Sequence, residues 1–367
     1  MKWSLNIGRV SGIKIFVHWT FLLLIGWVIF RSMAMGLTIS ETMWFIFFVL
    51  VVFLCVVLHE LGHALTAKRY SIITKDIILL PIGGLARLEK MPEEPGQELA
   101  IAIAGPLVNV AIAILIYGII SITGMPLITE PQEFVAIGSH NFLYMLLFVN
   151  ITLAVFNMIP AFPMDGGRVL RALLSYKFPR HIATRFAATL GKILSAGFIV
   201  LGLFYNPFLI IIGLFIYLGA QAEADFTQAR SLLAGYKVRD LVMHHYNNLS
   251  PEAPLSKAVE LLLDGQGKDF LITDHGTVVG TLSRNEMIQA LSEKEQSITI
   301  KEIMNQNIKY LRADSSLDEM YQQVQQNNVS LMPVMENGDL VGVIDTENIL
   351  EFIMVKEAEE RKKIFAS

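Results

Sequence analysis

The chain has 367 residues, of which 53% are hydrophobic and only 17% are charged, and its formal net charge is −4. Soluble globular proteins carry about 25% charged residues, so this composition excludes an ordinary soluble protein and indicates that part of the chain lies in lipid. The mild net charge and the lack of a basic block argue against a nucleic-acid partner, and the single cysteine, Cys55, excludes an intramolecular disulfide.

Six apolar segments before about residue 225 are long enough, or nearly so, to cross a membrane. A helix needs about 20 apolar residues to cross about 30 Å of hydrocarbon. The sequence therefore predicts a polytopic all-α membrane domain with six transmembrane helices. The predicted spans are 15–33, 44–67, 99–122, 142–160, 187–204 and 208–222.

Basic residues separate the connecting loops into two groups. The N-terminus and the loops after the second and fourth spans are rich in Lys and Arg, whereas the first, third and fifth loops have none apart from Arg31, at the end of the first span. By the positive-inside rule, we expect a multi-pass protein of the cell membrane with cytoplasmic N- and C-termini. Cleavage near Ser32-Met33-Ala34 as a signal peptide is the alternative, although segment 15–33 is longer than an ordinary signal core.

The second span contains the sequence His59-Glu60-Leu61-Gly62-His63. Histidines four residues apart share one helix face and can bind the same zinc ion. Glu60 would then be the general base for a zinc-bound water, whose pKa falls to about 7. The pattern can arise by chance in soluble helices, but ionisable residues inside a membrane are costly and usually functional.

Two histidines leave zinc short of a protein ligand, and Asp165 is the best candidate for the third. It lies in segment 157–167, where Pro160 and Pro163 prevent a continuous helix. Irregular backbone at membrane depth is tolerated only where it faces protein or a water-filled cavity. The alternative is that Asp165 caps a helix that begins near Arg168.

Asn157, beside the proline-containing segment, is a candidate for stabilising the oxyanion of the attacked carbonyl. The alternative role is hydrogen bonding between helices, which we also expect for Asn109 and Asn150.

The apolar segment 77–88 follows the metal-binding helix and is too short to span a membrane. It predicts a small membrane-associated β hairpin. Such a hairpin could pair with an unwound substrate segment by strand addition, or it could simply lie at the membrane surface.

These motifs resemble those of the site-2 protease family of intramembrane metalloproteases. HELGH at 59–63, GPLVN at 105–109 and NMIPAFPMDGG at 157–167 match the family in order and spacing. The resemblance covers most of the first 225 residues and implies that His59, His63 and Asp165 bind one zinc ion and that Glu60 is catalytic. It also implies cleavage of transmembrane helices of other proteins. Met164 stands where the family usually has leucine.

From residue 237 the sequence becomes soluble in character and repeats with a period of about 62 residues, which implies two copies of one unit. Each copy predicts a helix, two strands joined by a Gly-containing turn, and a second helix. Segments 238–243, 255–259, 269–273 and 279–283 are echoed at 300–304, 317–320, 330–334 and 341–345.

The repeats resemble a tandem CBS-domain pair, a soluble α+β family that commonly binds adenine nucleotides and dimerises. The resemblance implies an ATP site at Ser283 and Glu286 and a homodimer through the pair. The second copy has Asp345 and Asn348 at the matching positions. An anion at Asp345 would disfavour a phosphate, so we expect nucleotide at one site at most.

The sequence therefore predicts a six-span metalloprotease domain at 1–225, a linker at 226–236, and CBS repeats at 237–295 and 296–367, the second ending in a helix. We expect an intramembrane protease that acts on membrane-anchored proteins in the lipid bilayer and is regulated by its cytoplasmic CBS pair. One alternative is a CBS-gated transporter, which would need polar residues along several spans. The other is a metal-binding scaffold, against which the intact Glu60 argues.

Overall fold

The computed structural model describes residues 4–81, 83–89, 92, 94–125, 137–265, 267–293, 298–327 and 330–366. The chain divides into two compact units, Met1–Asp225 and Phe226–Ser367. Each unit has hydrophobic clusters of its own.

The first unit consists mainly of apolar helices. Among the described residues, α2, α3, α6 and α7 are long and apolar enough to cross a membrane, and α1 and α4 are shorter apolar helices. All six lie where spans are predicted, but only four have the expected length. The helices are α1 (Phe21–Ala34), α2 (Ile39–Arg69), α3 (Pro95–Thr123), α4 (Phe142–Asn157), α5 (Asp165–Ser175), α6 (Arg180–Phe204) and α7 (Phe208–Leu233), and the residues of α7 after Asp225 belong to the second unit.

A four-stranded sheet accompanies these helices, in the order β1-β2-β3-β4. β2 pairs with β3 in parallel, and the other two pairs are antiparallel, so β4 is an edge strand. The predicted segment 77–88 falls within the hairpin of β3 and β4. The strands are β1 (Ser4–Val10), β2 (Ile13–His18), β3 (Thr74–Leu80) and β4 (Gly83–Leu88).

The prediction that the first span begins at Ile15 is wrong, because this residue lies in β2 and α1 begins only at Phe21. Ile13 and Ile15 are buried with Lys14 exposed between them, which is the period of two expected for a strand. The two isoleucines pack with Ile77 of β3 against α2. This sheet therefore rests on the helix that carries the HELGH sequence.

Helix α2 is long, and its N-terminus is well defined. Thr38 and Glu41 form a capping box there, in which each side chain accepts from the backbone N–H of the other residue. Further along, a Cβ at Gly62 would stand 2.9 Å from the Ala104 carbonyl oxygen of α3. Small residues at a crossing let helices approach closely in membranes, so α2 and α3 pack closely beside the HELGH sequence.

The second unit contains two three-stranded sheets of the same topology. In each, a two-residue strand pairs in parallel with a strand that continues into an antiparallel hairpin. Leu271 and Val278 of the first sheet form a cluster with Leu331 and Val343 of the second. The strands are β5 (Asn248–Leu249), β6 (Phe270–Asp274), β7 (Thr277–Leu282), β8 (Leu311–Arg312), β9 (Leu331–Glu336) and β10 (Asp339–Asp345). The helices are α8 (Leu255–Leu263), α9 (Arg284–Glu293), α10 (Leu317–Asn327) and α11 (Thr346–Ala366).

Candidate metal centre

Three ligand atoms converge inside the first unit. His59 and His63 lie one turn apart on α2, and their Nε2 atoms are 3.1 Å from each other. The Oδ2 atom of Asp165 is 3.2 Å from the His59 Nε2 and 3.1 Å from the His63 Nε2. All three residues are at least nine-tenths buried, so the cluster is screened from bulk solvent.

The far side of each imidazole ring faces an oxygen atom of α3. His63 Nδ1 is 2.7 Å from the Ile101 carbonyl oxygen, and His59 Nδ1 is 2.5 Å from Asn109 Oδ1. Because an oxygen of this kind only accepts, each Nδ1 carries the proton and donates it. The Nε2 atom of each ring is then left with a lone pair, which is the form that binds a metal.

A second amide fixes the orientation of Asn109. Asn109 Nδ2 donates to Asn150 Oδ1 at 3.0 Å, and Asn150 Nδ2 donates to the Leu146 carbonyl oxygen of its own helix at 2.9 Å. The carbonyl can only accept, so the direction of every hydrogen bond back to His59 follows from it. Two buried amides thereby hold one tautomer of the His59 ring.

The arrangement fits a zinc ion. Two nitrogen lone pairs and a carboxylate face one another at 3.1–3.2 Å, which is unfavourable unless a cation lies between them. Zinc binds histidine nitrogen at about 2.0–2.1 Å in a tetrahedral site, so neighbouring ligand atoms stand about 3.3 Å apart. The observed spacing is close to that value.

Gly105 of α3 provides the space for this cluster. A Cβ at this position would overlap the His63 Nε2 atom and stand 2.7 Å from the His59 Nε2 atom. Ile101, Gly105 and Asn109 are spaced four residues apart and therefore share one face of α3. That face orients both histidine rings.

Asp165 reaches the histidines from the start of α5. The helix begins at Asp165 with Met164 at the N-cap position, so the predicted alternative, a cap before a helix starting near Arg168, does not describe its role. The two glycines that follow allow close packing here, since a Cβ at Gly167 would stand 2.6 Å from the Ala161 carbonyl carbon. The irregular segment between α4 and α5 is thus folded tightly against the first turn of α5.

Glu60 lies between α2 and the edge strand β4. Its Oε2 atom accepts a hydrogen bond from the Ala86 N–H at 3.2 Å. A Cβ at Gly84 would stand 2.7 Å from the Glu60 Cγ atom. The glycine therefore leaves room for the carboxylate side chain directly beside the strand.

Asn157 is the last residue of α4 and is half-buried. The amide that contacts the histidine cluster is Asn109. The sequence placed Asn109 among helix-packing residues, and its partner His59 is 50 positions away in the chain.

In the second unit, Ser283 and Glu286 bond to each other at the start of α9. The Ser283 N–H donates to Glu286 Oε2 at 2.8 Å, and the Glu286 N–H donates to Ser283 Oγ at 3.3 Å. This is a capping box. Burial raises the pKa of the nearby Asp269 carboxyl, and the charges of Asp345 and Glu286 raise it further. The surroundings are therefore acidic.

Comparison with known proteins decides the family. The model of peptidase family M50 matches residues 47–204, and the CBS domain model matches residues 300–355. Over 366 residues the chain is 32% identical to a zinc metalloprotease of Methanocaldococcus jannaschii, and the alignment covers 99% of this chain and all of that protein. The chain belongs to peptidase family M50. It is a membrane zinc metalloprotease of the site-2 protease type with a CBS domain.

Two further relatives are similar to this M50 peptidase. Stage IV sporulation protein FB of Bacillus subtilis is 26% identical over 270 residues, which is 68% of this chain and 86% of that protein. A solved structure of the site-2 protease from Methanocaldococcus jannaschii has 38% sequence identity and a TM-score of 0.46, covering 60% of the M50 peptidase and 95% of that chain.

Proposed function

We propose that this M50 peptidase hydrolyses peptide bonds in the transmembrane segments of membrane-anchored proteins, with one zinc ion held by His59, His63 and Asp165. The observation that carries the proposal is the convergence of two histidine lone pairs and one carboxylate at 3.1–3.2 Å in a buried site. Bound zinc supplies Lewis-acid chemistry, which lowers the pKa of a water to about 7 and polarises a carbonyl.

Glu60 is the general base in this mechanism. It accepts the proton of the attacking water and delivers it to the leaving nitrogen, so the proton is conserved over hydrolysis of the amide. The Ala86 N–H holds the carboxylate beside β4 before substrate binds. Asn157 donates a hydrogen bond to the carbonyl oxygen that becomes negative.

Substrate binds in this proposal as an added strand. β4 ends the strand order of its sheet and lies against Glu60 through Ala86 and Gly84. Edge strands have unpaired backbone groups that can pair with another extended segment. A transmembrane helix that unwinds beside β4 would thus bring its peptide bonds next to the general base.

The proposed membrane arrangement has six spans and cytoplasmic termini. Residues 1–225 form the protease domain with six spans, and α1 and α4 cross with the help of flanking residues. Both termini are cytoplasmic, and residues 226–236 link this domain to CBS repeats at 237–295 and 296–367.

Zinc content and cleavage of a single-span substrate in detergent test the zinc site. We expect about one zinc ion per chain for the wild type, and loss of both zinc and cleavage in Asp165→Asn, because a neutral amide is a poorer ligand. Asp225→Asn is the matched control, since Asp225 is exposed, and it should keep both. A wild type that binds no zinc, or a fully metallated Asp165→Asn, contradicts the ligand assignment.

We also propose that the second unit is a tandem CBS pair that forms a homodimer and binds ATP at the site of Ser283. The repeated topology of its two sheets supports a tandem pair, and Asp345, which takes the place of Ser283 in the second repeat, limits binding to one nucleotide. ATP binding there biases entry of substrate to the protease domain.

Cleavage by the full chain with and without ATP tests this regulation, and a chain lacking residues 237–367 is the control. We expect ATP to change the cleavage rate of the full chain and to leave the shortened chain unaffected. Identical rates for the full chain with and without ATP would refute regulation by nucleotide.

A further inference from the structure

Among the almost fully buried side chains in the described part of the chain, that of Arg171 is the largest, and it is 1% exposed. It lies on α5, six residues after the proposed zinc ligand Asp165. Its Nε atom donates to Glu98 Oε1 of α3 at 2.7 Å, and its Nη1 atom donates to Glu223 of α7. Its guanidinium lies 4.8 Å above the centre of the Phe162 ring.

Glu98 is fixed on its other side as well. Its Oε2 atom is 3.0 Å from Arg180 Nη2 of α6, and Arg180 Nη1 donates to the Pro92 carbonyl oxygen at 2.8 Å. Opposite charges from α3, α5, α6 and α7 thus meet in one cluster. The side chain of Glu98 is itself only 3% exposed.

Stability alone does not explain such a cluster. Removing a charge from water costs several kcal/mol, and a buried ion pair is often no more stable than well-packed apolar residues of similar size. The planar guanidinium, with its rigid fork of donors, bonds a carboxylate in a defined geometry. The pair therefore specifies where α5 lies against α3.

The position of Glu98 on α3 connects this geometry to the metal centre. Glu98, Ile101, Gly105 and Asn109 are spaced by three, four and four residues, so they lie on one helix face. The last three contact the histidine rings or make room for them. Glu98 binds Arg171 of α5, and α5 also carries Asp165, whose carboxylate faces those rings.

The first turns of α5 connect Arg171 rigidly to Asp165. Six residues of helix span about 9 Å, and glycines at 166 and 167 pack this turn directly against backbone. We propose that the Glu98–Arg171 pair is a positioning device that holds Asp165 at ligand distance from His59 and His63. The inference rests on the proposed zinc site.

Zinc affinity, measured in the full chain by competition with a chelator, tests the proposal. Arg171→Met should bind zinc about 10–100-fold more weakly, the loss that is typical when a residue that orients a metal ligand is removed. The visible spectrum of the cobalt-substituted Arg171→Met variant should differ from that of the wild type, because the Asp165 carboxylate is no longer held at ligand distance. Arg230→Met is the matched control, because Arg230 pairs with Asp318 at 2.9 Å in the second unit, and it should keep wild-type zinc affinity.

A second variant separates positioning from folding. Arg171→Met leaves Glu98 and Glu223 without this partner, whereas the triple variant E98Q/R171M/E223Q also removes their charges. We expect the triple variant to recover thermal stability but not zinc affinity. A folded triple variant with wild-type zinc affinity and cobalt spectrum would overturn the proposal while leaving the zinc site intact. A wild-type protein that binds no zinc would overturn both the positioning role and the proposed zinc site.

Discussion

Glu60→Gln is expected to lower cleavage by about 10²–10⁴-fold, the usual contribution of a general base, and to leave the zinc content unchanged. The substitution removes basicity and little else, because glutamine has nearly the same shape as glutamate. Its amide oxygen can still accept from the Ala86 N–H, which Glu60 does at 3.2 Å. The three proposed zinc ligands remain in place. Loss of activity with full metal content would therefore isolate the proton-transfer step.

Glu41→Gln on the same helix is the matched control. Glu41 belongs to the capping box at the start of α2, and a capping box accepts glutamine as well as glutamate. This variant should cleave like the wild type. If Glu60→Gln cleaves like the wild type too, Glu60 is not the base. If Glu60→Gln loses zinc together with cleavage, the role of Glu60 is to maintain the metal site.

Local spacing explains why part of the metal centre could be predicted from the sequence. His59 and His63 are one turn apart, so any helix through this segment places both rings on one face. Asp165 could be selected because acids are scarce in the apolar spans and two prolines interrupt the helix before it. The structure brings all three residues together. The histidine spacing and the two prolines are local signals, and the scarcity of acids is a matter of composition.

Long-range partners could not be predicted in this way. Asn109 is hydrogen-bonded to His59, which is 50 residues away in the chain, and Arg171 is hydrogen-bonded to Glu98, which is 73 residues away. Nothing near Arg171 in the sequence distinguishes a buried arginine from a cytoplasmic one, because this residue falls in the basic loop predicted after the fourth span. Strand β2 was missed for a different reason, since its alternating isoleucines run directly into the apolar residues of α1.

Gly105→Ala is the second substitution with a large expected effect, and it adds only one methyl group. The new Cβ would overlap the His63 Nε2 atom and stand 2.7 Å from the His59 Nε2 atom. Because Gly105 lies within α3, which packs closely on α2, the backbone has little freedom to retreat. Either the rings rotate away from Asp165 or the two helices separate.

We expect zinc affinity and cleavage to fall together in Gly105→Ala, with cleavage lowered by about 10²-fold or more, since a displacement of about 1 Å in an active site costs that much in rate. Gly118→Ala is the matched control on the same helix, because a Cβ at Gly118 would meet nothing within 4 Å. Alanine favours helix over glycine by about 0.5–1 kcal/mol, so this control should be as stable as the wild type and keep its zinc. If Gly105→Ala binds zinc as tightly as Gly118→Ala does, the histidine rings do not occupy the space beside α3 during metal binding, and the ligand geometry described above is wrong.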